Sequence, residues 1–530
     1  MSVSIVTKAV SAITFAALAF SAASFAQVRT ASGAVAGTTS SDGKVQIFKG
    51  IPFAAPPVGP LRWKEPQPVA AWEGVRQATE FGPRCMQGNV FGDMAFRDSG
   101  PSEDCLYLNV WTPKAAAGAN LPVMVWIYGG GFQAGATSEG RQDGEYLAHK
   151  GVVVVSMNYR LGIFGFFSHP GLTQESPHHA SGNYGLLDQA AALQWVHDNI
   201  AAFGGDPANV TIFGESAGSF SVCAQMASPL SKNLIAKAIG ESGAFFGRGL
   251  SAKPLADSEK AGADFAQENS ATLEQLRAMP APQLLEAATK KGNAFRFSPN
   301  VDGYFFPESP AAIFAKGSQA HIPLLAGWNH DEGTYHMIFA TDRATKDNYA
   351  KKINDLYKDH AADLLKAFPG DSDAQAKASA DLLGTANFIG YGTWKWLEYQ
   401  EKLGGVPIYR YEFDQAPPIP PSGPMAAAGD PPRAYHSAEI EYVFGELDTK
   451  KIDGKPVAWR PEDRKLSEDM SSYWSNFAKT GDPNGKGLPK WPKYDAKDGY
   501  ETMHLDAKPK AAPDAQRPQY LVLDSLSGNP

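Results

Sequence analysis

Short apolar runs alternate along this chain with longer segments of helical periodicity. Five runs rich in β-branched and aromatic residues predict buried strands, at residues 123–128, 152–157, 210–213, 322–327 and 406–413. Apolar residues recur at helical spacing over residues 186–202, and a helix of small residues is predicted over 216–227, directly after a strand. This alternation indicates an α/β protein with a central, mostly parallel, twisted sheet and helices on both faces.

The middle of the chain has a different composition. Residues 252–386 are rich in Ala, Lys, Glu and Leu, and apart from one predicted strand their pattern is helical. We interpret this part, around residues 250–400, as large helical insertions over the sheet, and we expect a single domain at residues 27–530. The second half also predicts two loops rich in Pro and Gly and one last strand, at residues 416–432, 507–518 and 519–524, respectively.

The first 26 residues have the pattern of a secretory signal peptide. Lys8 precedes an apolar stretch over residues 9–20, and small residues lead to Ala26. A membrane span needs about 20 apolar residues, and no stretch of the chain approaches that length, so we expect no membrane span. We expect cleavage after Ala26 and export to the periplasm or the medium, where cysteines can pair.

A net charge of −8 disfavours nucleic acid and anionic membranes as partners.

A candidate nucleophile lies between a predicted strand and a predicted helix. The sequence Gly214-Glu215-Ser216-Ala217-Gly218 has the form G-x-S-x-G, in which a sharp turn exposes the serine at the end of a sheet. The alternative is a glycine-rich turn with an idle serine. The strand before the motif and the helix after it favour Ser216 as a nucleophile.

A run of three glycines predicts donors for a negatively charged oxygen. Gly129, Gly130 and Gly131 follow the strand predicted at 123–128. Acyl transfer needs backbone N–H groups aimed at the oxygen of a tetrahedral intermediate. We therefore predict an oxyanion hole made by Gly130, Gly131 and Ala217, the residue after the nucleophile. A phosphate-binding loop is the alternative, but neither of its glycine patterns fits this stretch.

The base and the acid should follow the nucleophile in the order acid, then histidine. His436 comes after the strand predicted at 406–413, which places it at the carboxyl edge of the sheet beside Ser216. Asp331 and Glu332 both follow the strand predicted at 322–327, and either carboxylate could orient the imidazole. Spacing alone leaves the choice between these two open.

These motifs together resemble the type-B carboxylesterases, the family that includes cholinesterases and bacterial para-nitrobenzyl esterases and has the α/β-hydrolase fold. The resemblance extends over nearly the whole mature chain. Its matching stretches are residues 50–54, 102–110, 126–132, 182–189, 213–218, 329–333, 436–445 and 476–483. The resemblance implies that Glu332 is the acid, and that Ser242 and Glu439 lie close to the three catalytic residues. We place Glu215 in the same surroundings.

The resemblance also bears on the three cysteines of the chain. The family closes the loop between the positions of Cys85 and Cys105 with a disulfide, which implies the same bond here. Cys223 lies in the helix predicted after the nucleophile, and we expect it to be a buried, free thiol. The loop of residues 86–104 lacks the tryptophan with which cholinesterases bind choline, so we do not expect a specialist for choline esters.

The expected activity is that of a secreted serine carboxylesterase, which hydrolyses small-molecule carboxylic esters through an acyl-enzyme. A non-catalytic binding or adhesion protein on the same fold is one alternative, and an amidase or acyltransferase with the same triad is another. The chain contains no H-E-x-x-H, EF-hand or C-x-x-C pattern, so we expect no metal or other cofactor.

Overall fold

The computed structural model describes residues 26–114, 118–247, 249–290, 296–419, 432–452 and 454–526. Its strands are β1 (Gln27–Thr30), β2 (Gly33–Ala36), β3 (Thr38–Thr39), β4 (Val45–Pro52), β5 (Val75–Gln77), β6 (Arg84–Cys85), β7 (Pro101–Ser102), β8 (Tyr107–Pro113), β9 (Leu121–Ile127), β10 (Val153–Met157), β11 (Gly205–Glu215), β12 (Lys237–Glu241), β13 (Lys253–Pro254), β14 (Asn300–Val301), β15 (Leu324–Asn329), β16 (Ile408–Phe413), β17 (Lys451–Ile452), β18 (Lys455–Pro456), β19 (Glu501–Leu505) and β20 (Lys510–Pro513).

The helices lie mostly between strands of the main sheet or in the middle of the chain. They are α1 (Glu145–His149), α2 (Gly162–Phe166), α3 (Pro170–Glu175), α4 (Tyr184–Asn199), α5 (Ala217–Ala227), α6 (Leu255–Glu268), α7 (Leu273–Ala278), α8 (Ala281–Thr289), α9 (Pro310–Ala315), α10 (His336–Phe339), α11 (Lys346–Tyr357), α12 (Ala361–Ala367), α13 (Asp373–Thr385), α14 (Tyr391–Leu403), α15 (Ile440–Phe444), α16 (Pro461–Thr480) and α17 (Arg517–Leu526). A π-helical turn, Ala386–Gly390, joins α13 to α14.

One large sheet organises the fold. Its strands follow the order β20-β19-β16-β15-β12-β11-β9-β10-β8-β4-β3. The strands from β19 to β10 in this order run parallel, whereas β20 at one end and β8, β4 and β3 at the other pair antiparallel. The carboxyl ends of the parallel strands therefore meet at one edge, where α/β sheets carry their ligand sites.

Helices cover both faces of this sheet. Successive residues of a strand point to opposite faces, so the neighbours of two adjacent residues identify the two layers. A side chain at Gly240 of β12 would collide with Trp396 of α14. The next residue, Glu241, accepts a hydrogen bond of 2.8 Å from Trp474 Nε1 of α16. Helices α14 and α16 thus lie on opposite faces of β12, as the alternating pattern predicts.

The five strands predicted in the sequence correspond to β9, β10, β11, β15 and β16, with ends that differ by a few residues. The two predicted helices correspond to α4, which continues into a 3₁₀ turn at Ile200–Phe203, and to α5. The middle of the chain forms α6 to α13 with β15 between α9 and α10, as expected for helical insertions.

Two predictions near the C-terminus are wrong. Residues 519–524 belong to helix α17, not to a strand, because the apolar run is short enough to fit either structure and buries Tyr520 and Leu523 at a helical spacing of three. Residues 507–518 are not all loop, since they contain β20, which pairs antiparallel with β19. Of the other predicted loop, residues 420–431 lie outside the described residues.

The predicted signal peptide also lies outside the described residues, except for Ala26. Within the part of the chain that the structure describes, no helix is both long enough and apolar enough to cross a membrane.

Candidate active site

Ser216 occupies a sharp turn between β11 and α5. Its backbone angles, φ 56° and ψ −123°, are rare for a residue with a side chain and cost about 1–3 kcal/mol. The Ser216 N–H donates to the Glu241 carbonyl at 2.8 Å, which ties the turn to β12. A Cβ on Gly218 would lie only 1.9 Å from the Ile127 carbonyl oxygen, so only glycine lets α5 pack this closely against β9. The motif thus holds Ser216 at the carboxyl edge of the sheet.

A chain of hydrogen bonds runs from Ser216 to the predicted base and acid. Ser216 Oγ lies 2.8 Å from His436 Nε2. His436 Nδ1 lies 2.5 Å from Glu332 Oε2. With the imidazole proton on Nδ1, that nitrogen donates to the carboxylate, and Nε2 accepts from the serine hydroxyl. Glu332 is fully buried, whereas the His436 side chain is 24% exposed, so the imidazole can meet a substrate.

Sequence spacing did not decide between Asp331 and Glu332 as the partner of His436, and the structure distinguishes them. Glu332 Oε1 accepts the Asn329 N–H at 2.9 Å and the Ser242 hydroxyl, and these bonds leave Oε2 facing the imidazole. Asp331 instead accepts the Ala434 N–H at 3.0 Å and donates its own N–H to the Ala434 carbonyl. Asp331 therefore anchors the loop of the histidine, and of these two carboxylates Glu332 is the one that contacts the ring.

The glycine loop packs directly against the serine turn. A Cβ on Gly129 would lie 2.5 Å from the Glu215 carbonyl and 3.0 Å from Ser216 Cβ, so glycine is needed for this contact. Gly130 and Gly131 follow with φ of 106° and 62°, in the region that favours glycine. Ala217 is the first residue of α5, so its N–H has no acceptor inside the helix. All three predicted oxyanion donors thus lie on segments beside Ser216.

Buried glutamates surround the histidine. Glu215 Oε1 lies 3.4 Å from His436 Nε2, and Glu439 Oε2 accepts from Asn329 Nδ2 at 2.5 Å. Sequence reasoning missed Glu241, which is fully buried behind the serine turn. Burial, the largest cause, raises the pKa of all three carboxyl groups. The structure therefore places Glu215, Ser242 and Glu439 around Ser216, His436 and Glu332, and Glu241 lies beside them.

The electrostatics of His436 favour its charged form. Burial lowers the pKa of the imidazole, but the carboxylates of Glu332 and Glu215 outweigh burial and raise the pKa above its usual value. These carboxylates would therefore stabilise an imidazolium at this position.

Two further side chains beside the site could not be found from the sequence. The Phe388 ring lies edge-on to the His436 ring, with 5.1 Å between the ring centres, and belongs to the π-helical turn before α14. Met94 Cε would lie 3.1 Å from a Cβ on Gly130, so Met94 covers the glycine loop. Neither residue carries a local motif, because a π turn and a loop contact depend on the tertiary fold.

The cysteines form the expected pair. Cys85 and Cys105 are joined by a disulfide across a sequence separation of 20, and the enclosed loop carries Met94 to the glycine loop. Cys223 is a buried, free thiol in α5, and burial raises its pKa to about 12.

Comparisons with known proteins show which family the chain matches. A family model described as "Carboxylesterase family" matches residues 24–521. The chain is 39% identical over 491 residues to the fumonisin B1 esterase of Sphingopyxis macrogoltabida, which covers 88% of this chain and 84% of that protein. It is 38% identical over 496 residues to the para-nitrobenzyl esterase of Bacillus subtilis (strain 168), with coverage of 91% and 95%.

Solved structures match over almost their whole length. A PNB esterase superposes with a TM-score of 0.78 at 36% identity and covers 93% of this chain and 99% of its own. A carboxylesterase of Geobacillus stearothermophilus gives a TM-score of 0.78 at 32% identity, with coverage of 94% and 99%.

Proposed function

This chain belongs to the carboxylesterase family and is a carboxylic ester hydrolase with an α/β-hydrolase fold, and we propose that it is an exported serine esterase in which Ser216 is the nucleophile. The observation that carries this proposal is the hydrogen-bonded chain from Ser216 through His436 to Glu332. A protein that only binds a partner has no need of a strained serine at the end of such a chain.

In the acylation step, Ser216 Oγ attacks the carbonyl carbon of the ester while His436 Nε2 takes the hydroxyl proton. The buried Glu332 carboxylate stabilises the resulting imidazolium. The N–H groups of Gly130, Gly131 and Ala217 donate to the oxyanion of the tetrahedral intermediate. The C–O bond of the ester then breaks, and the departing alkoxide takes the proton from His436, which leaves an acyl group on Ser216.

Deacylation repeats the same steps with water as the nucleophile. His436 takes a proton from the water, the hydroxide adds to the acyl carbon, and the same backbone donors hold the oxyanion. The intermediate then expels Ser216, which regains its proton from His436. The products are a carboxylic acid, an alcohol and the free enzyme, so the cycle needs no cofactor.

The proposed substrates are small-molecule carboxylic esters. Two relatives are named a fumonisin B1 esterase and a para-nitrobenzyl esterase, and both names describe hydrolysis of carboxylic esters. A panel of para-nitrophenyl esters of increasing acyl length is therefore a suitable first set of substrates.

We further propose that residues 1–26 are a signal peptide and that residues 27–530 form the mature, single-domain enzyme. The Cys85–Cys105 disulfide supports export, because disulfides persist in oxidising compartments. The N-terminal sequence of the exported chain tests this: Gln27 as the first residue is expected, and an intact Met1 on exported protein contradicts cleavage.

The catalytic proposal is tested with Ser216→Ala. We expect kcat/KM for a para-nitrophenyl ester to fall by about 10⁴-fold or more, since the variant has no nucleophile. An organophosphate should add one covalent adduct to the natural chain and none to the variant. Ser472→Ala on α16, away from the site, is the control and should retain both properties. Turnover within tenfold of the natural enzyme, or labelling of Ser216→Ala, would contradict the proposal.

A further inference from the structure

A second cluster of ionisable side chains lies at the carboxyl ends of β15, β16 and β19. Glu412 of β16 stands opposite Trp328 of β15 and His504 of β19 in the strand pairing. Directly opposed residues of neighbouring strands share a face, and so do residues two apart on one strand. His330, two residues after Trp328, and Asp414, two residues after Glu412, therefore lie on the same face as His504.

Three of these side chains direct ligand atoms to one point. His330 Nδ1 lies 2.8 Å from Glu412 Oε1 and 3.3 Å from Asp414 Oδ1, and the three atoms lie within 4.8 Å of one another. Hydrogen bonds weaken steeply away from linearity, and the single N–H at Nδ1 cannot point at both carboxylates. The convergence on one nitrogen is thus poorly explained by hydrogen bonding alone.

We propose that His330, Glu412 and Asp414 bind a divalent transition-metal cation of the Zn²⁺ type, with His504 as a positioning residue. Zn²⁺ takes imidazole nitrogen and carboxylate oxygen at about 2.0–2.2 Å, so its tetrahedral ligand atoms stand about 3.3–3.6 Å apart. The side chains reach that spacing with small movements. The His330 side chain is 47% exposed, which leaves the remaining position open to water.

Neighbouring side chains contact the two ligand carboxylates and hold them in place. His504 Nδ1 lies 2.7 Å from Asp414 Oδ2, so this histidine orients the carboxylate and leaves Oδ1 free for the cation. Arg410 Nη2 lies 3.7 Å from Glu412 Oε2, but Arg410 is paired with Asp514. Glu412 Oε1 faces His330 and also accepts a long hydrogen bond of 3.3 Å from the neutral Gln516 amide, which a cation at this oxygen would replace. The two ligand carboxylates supply a charge of −2, which a divalent cation neutralises.

The backbone at this edge is fixed before any cation binds. The His330 N–H donates to the Phe413 carbonyl at 2.9 Å, and the Asp414 N–H donates to the Leu505 carbonyl at 3.0 Å, so the three strands stay in register beyond their ends. Two residues after His330 comes Glu332, which contacts His436. A bound cation would therefore join the ends of β15 and β16, with β19 linked through His504 and Asp414, and would stabilise the fold beside the active site. This inference does not depend on the proposed catalytic roles.

The test measures binding rather than esterase activity. Full-length protein, freed of metals by a chelator, is titrated calorimetrically with ZnCl₂, and we expect one ion per chain and a higher melting temperature in excess zinc. His330→Gln and Asp414→Asn should each weaken the association constant more than tenfold, and His504→Gln about 10- to 100-fold. His197→Gln is the matched control. His197 also lies beside a carboxylate, Asp198, at 3.0 Å, but on an exposed helix face, and its loss should leave zinc binding unchanged.

Each outcome supports or overturns the proposal. No one-site binding by the natural chain overturns it, and so does unchanged affinity in both His330→Gln and Asp414→Asn, which would show a simple cluster of ion pairs. Circular dichroism establishes whether the variants are folded. If the variants are not folded, the visible absorption spectrum of Co²⁺ added to the natural chain tests the proposal instead. Intense visible bands of four- or five-coordinate Co²⁺ at one equivalent support the site, and the weak spectrum of hydrated Co²⁺ overturns it.

Discussion

Replacing Glu332 by glutamine removes the negative charge next to His436 Nδ1 with almost no change in the size of the side chain. Glu332 Oε1 accepts two donors, the Asn329 N–H and the Ser242 hydroxyl, and glutamine satisfies both only with its carbonyl oxygen at that position. Its amide nitrogen must then face His436 Nδ1, where the carboxylate oxygen lies 2.5 Å away. The imidazole has to accept at Nδ1 and carries its proton on Nε2, so it cannot accept a proton from Ser216.

The size of the loss follows from this change of tautomer. A triad whose acid is replaced by the matching amide loses about 10⁴-fold in kcat. That factor corresponds to about 5.4 kcal/mol of transition-state stabilisation. We expect Glu332→Gln to lower kcat/KM about 10³- to 10⁴-fold, measured from initial rates on a chromogenic ester, with an unchanged circular dichroism spectrum.

The neighbouring Asp331→Asn is the matched control. Asp331 accepts the Ala434 N–H at 3.0 Å, and an asparagine oxygen can accept the same bond, so we expect less than a tenfold loss. The reasoning is refuted if Glu332→Gln keeps activity within tenfold of the natural enzyme. It is equally refuted if a folded Asp331→Asn loses as much activity as Glu332→Gln.

Three further predictions concern pH, stability and reactivity. Burial lowers the pKa of His436, while Glu332 and Glu215 raise it, so Glu215→Gln should lower that pKa and move the acidic limb of the kcat/KM profile to lower pH. Replacing Cys85 and Cys105 by serine should lower the free energy of unfolding by about 3 kcal/mol in urea titrations, because the open loop regains entropy. Cys223, whose pKa burial raises to about 12, should react with iodoacetamide only after unfolding, as mass spectrometry can show.

Each of these predictions has a clear contrary result. A shift of the acidic limb to higher pH in Glu215→Gln contradicts the electrostatic argument, and Glu286→Gln on α8 should leave the profile unchanged. The stability argument fails if the double serine variant unfolds at the same urea concentration as the natural chain under oxidising conditions. Stoichiometric alkylation of Cys223 in the native chain contradicts its burial.

Much of the candidate site could be predicted from the sequence because local packing restricts the residues that form it. A Cβ would lie 1.9 Å from a backbone oxygen at Gly218 and 2.1 Å from one at Gly130, so these positions must be glycine in this fold. Because these positions accept only glycine, the site is marked by short sequence motifs that can be recognised in a single sequence. The five core strands were predictable for a related reason, since strands buried on both faces form continuous apolar runs.

Other features depend on contacts between distant segments. The choice between Asp331 and Glu332 needed the family resemblance, because both follow β15 and only the tertiary fold turns one of them toward His436. Phe388 faces His436 because a π-helical turn shifts the helix phase, and no sequence pattern marks that turn. Residues 519–524 were misread for a different reason: a short apolar run predicts strand and helix equally well.

The parallel topology explains why so many ionisable groups collect in one place. The parallel strands end at the same edge, where Ser216 follows β11, Glu332 follows β15, and His436 lies between them in one chain of hydrogen bonds. The same geometry also concentrates buried glutamates beside a single imidazole. Burial raises the pKa of Glu241 and Glu439, which favours their neutral forms and limits the repulsion between them and the carboxylates that contact the imidazole. Glu332, whose Oε1 is held by Ser242 and Asn329, is the carboxylate that contacts Nδ1 of the imidazole, and this contact is the reason to assign it as the acid of the proposed triad.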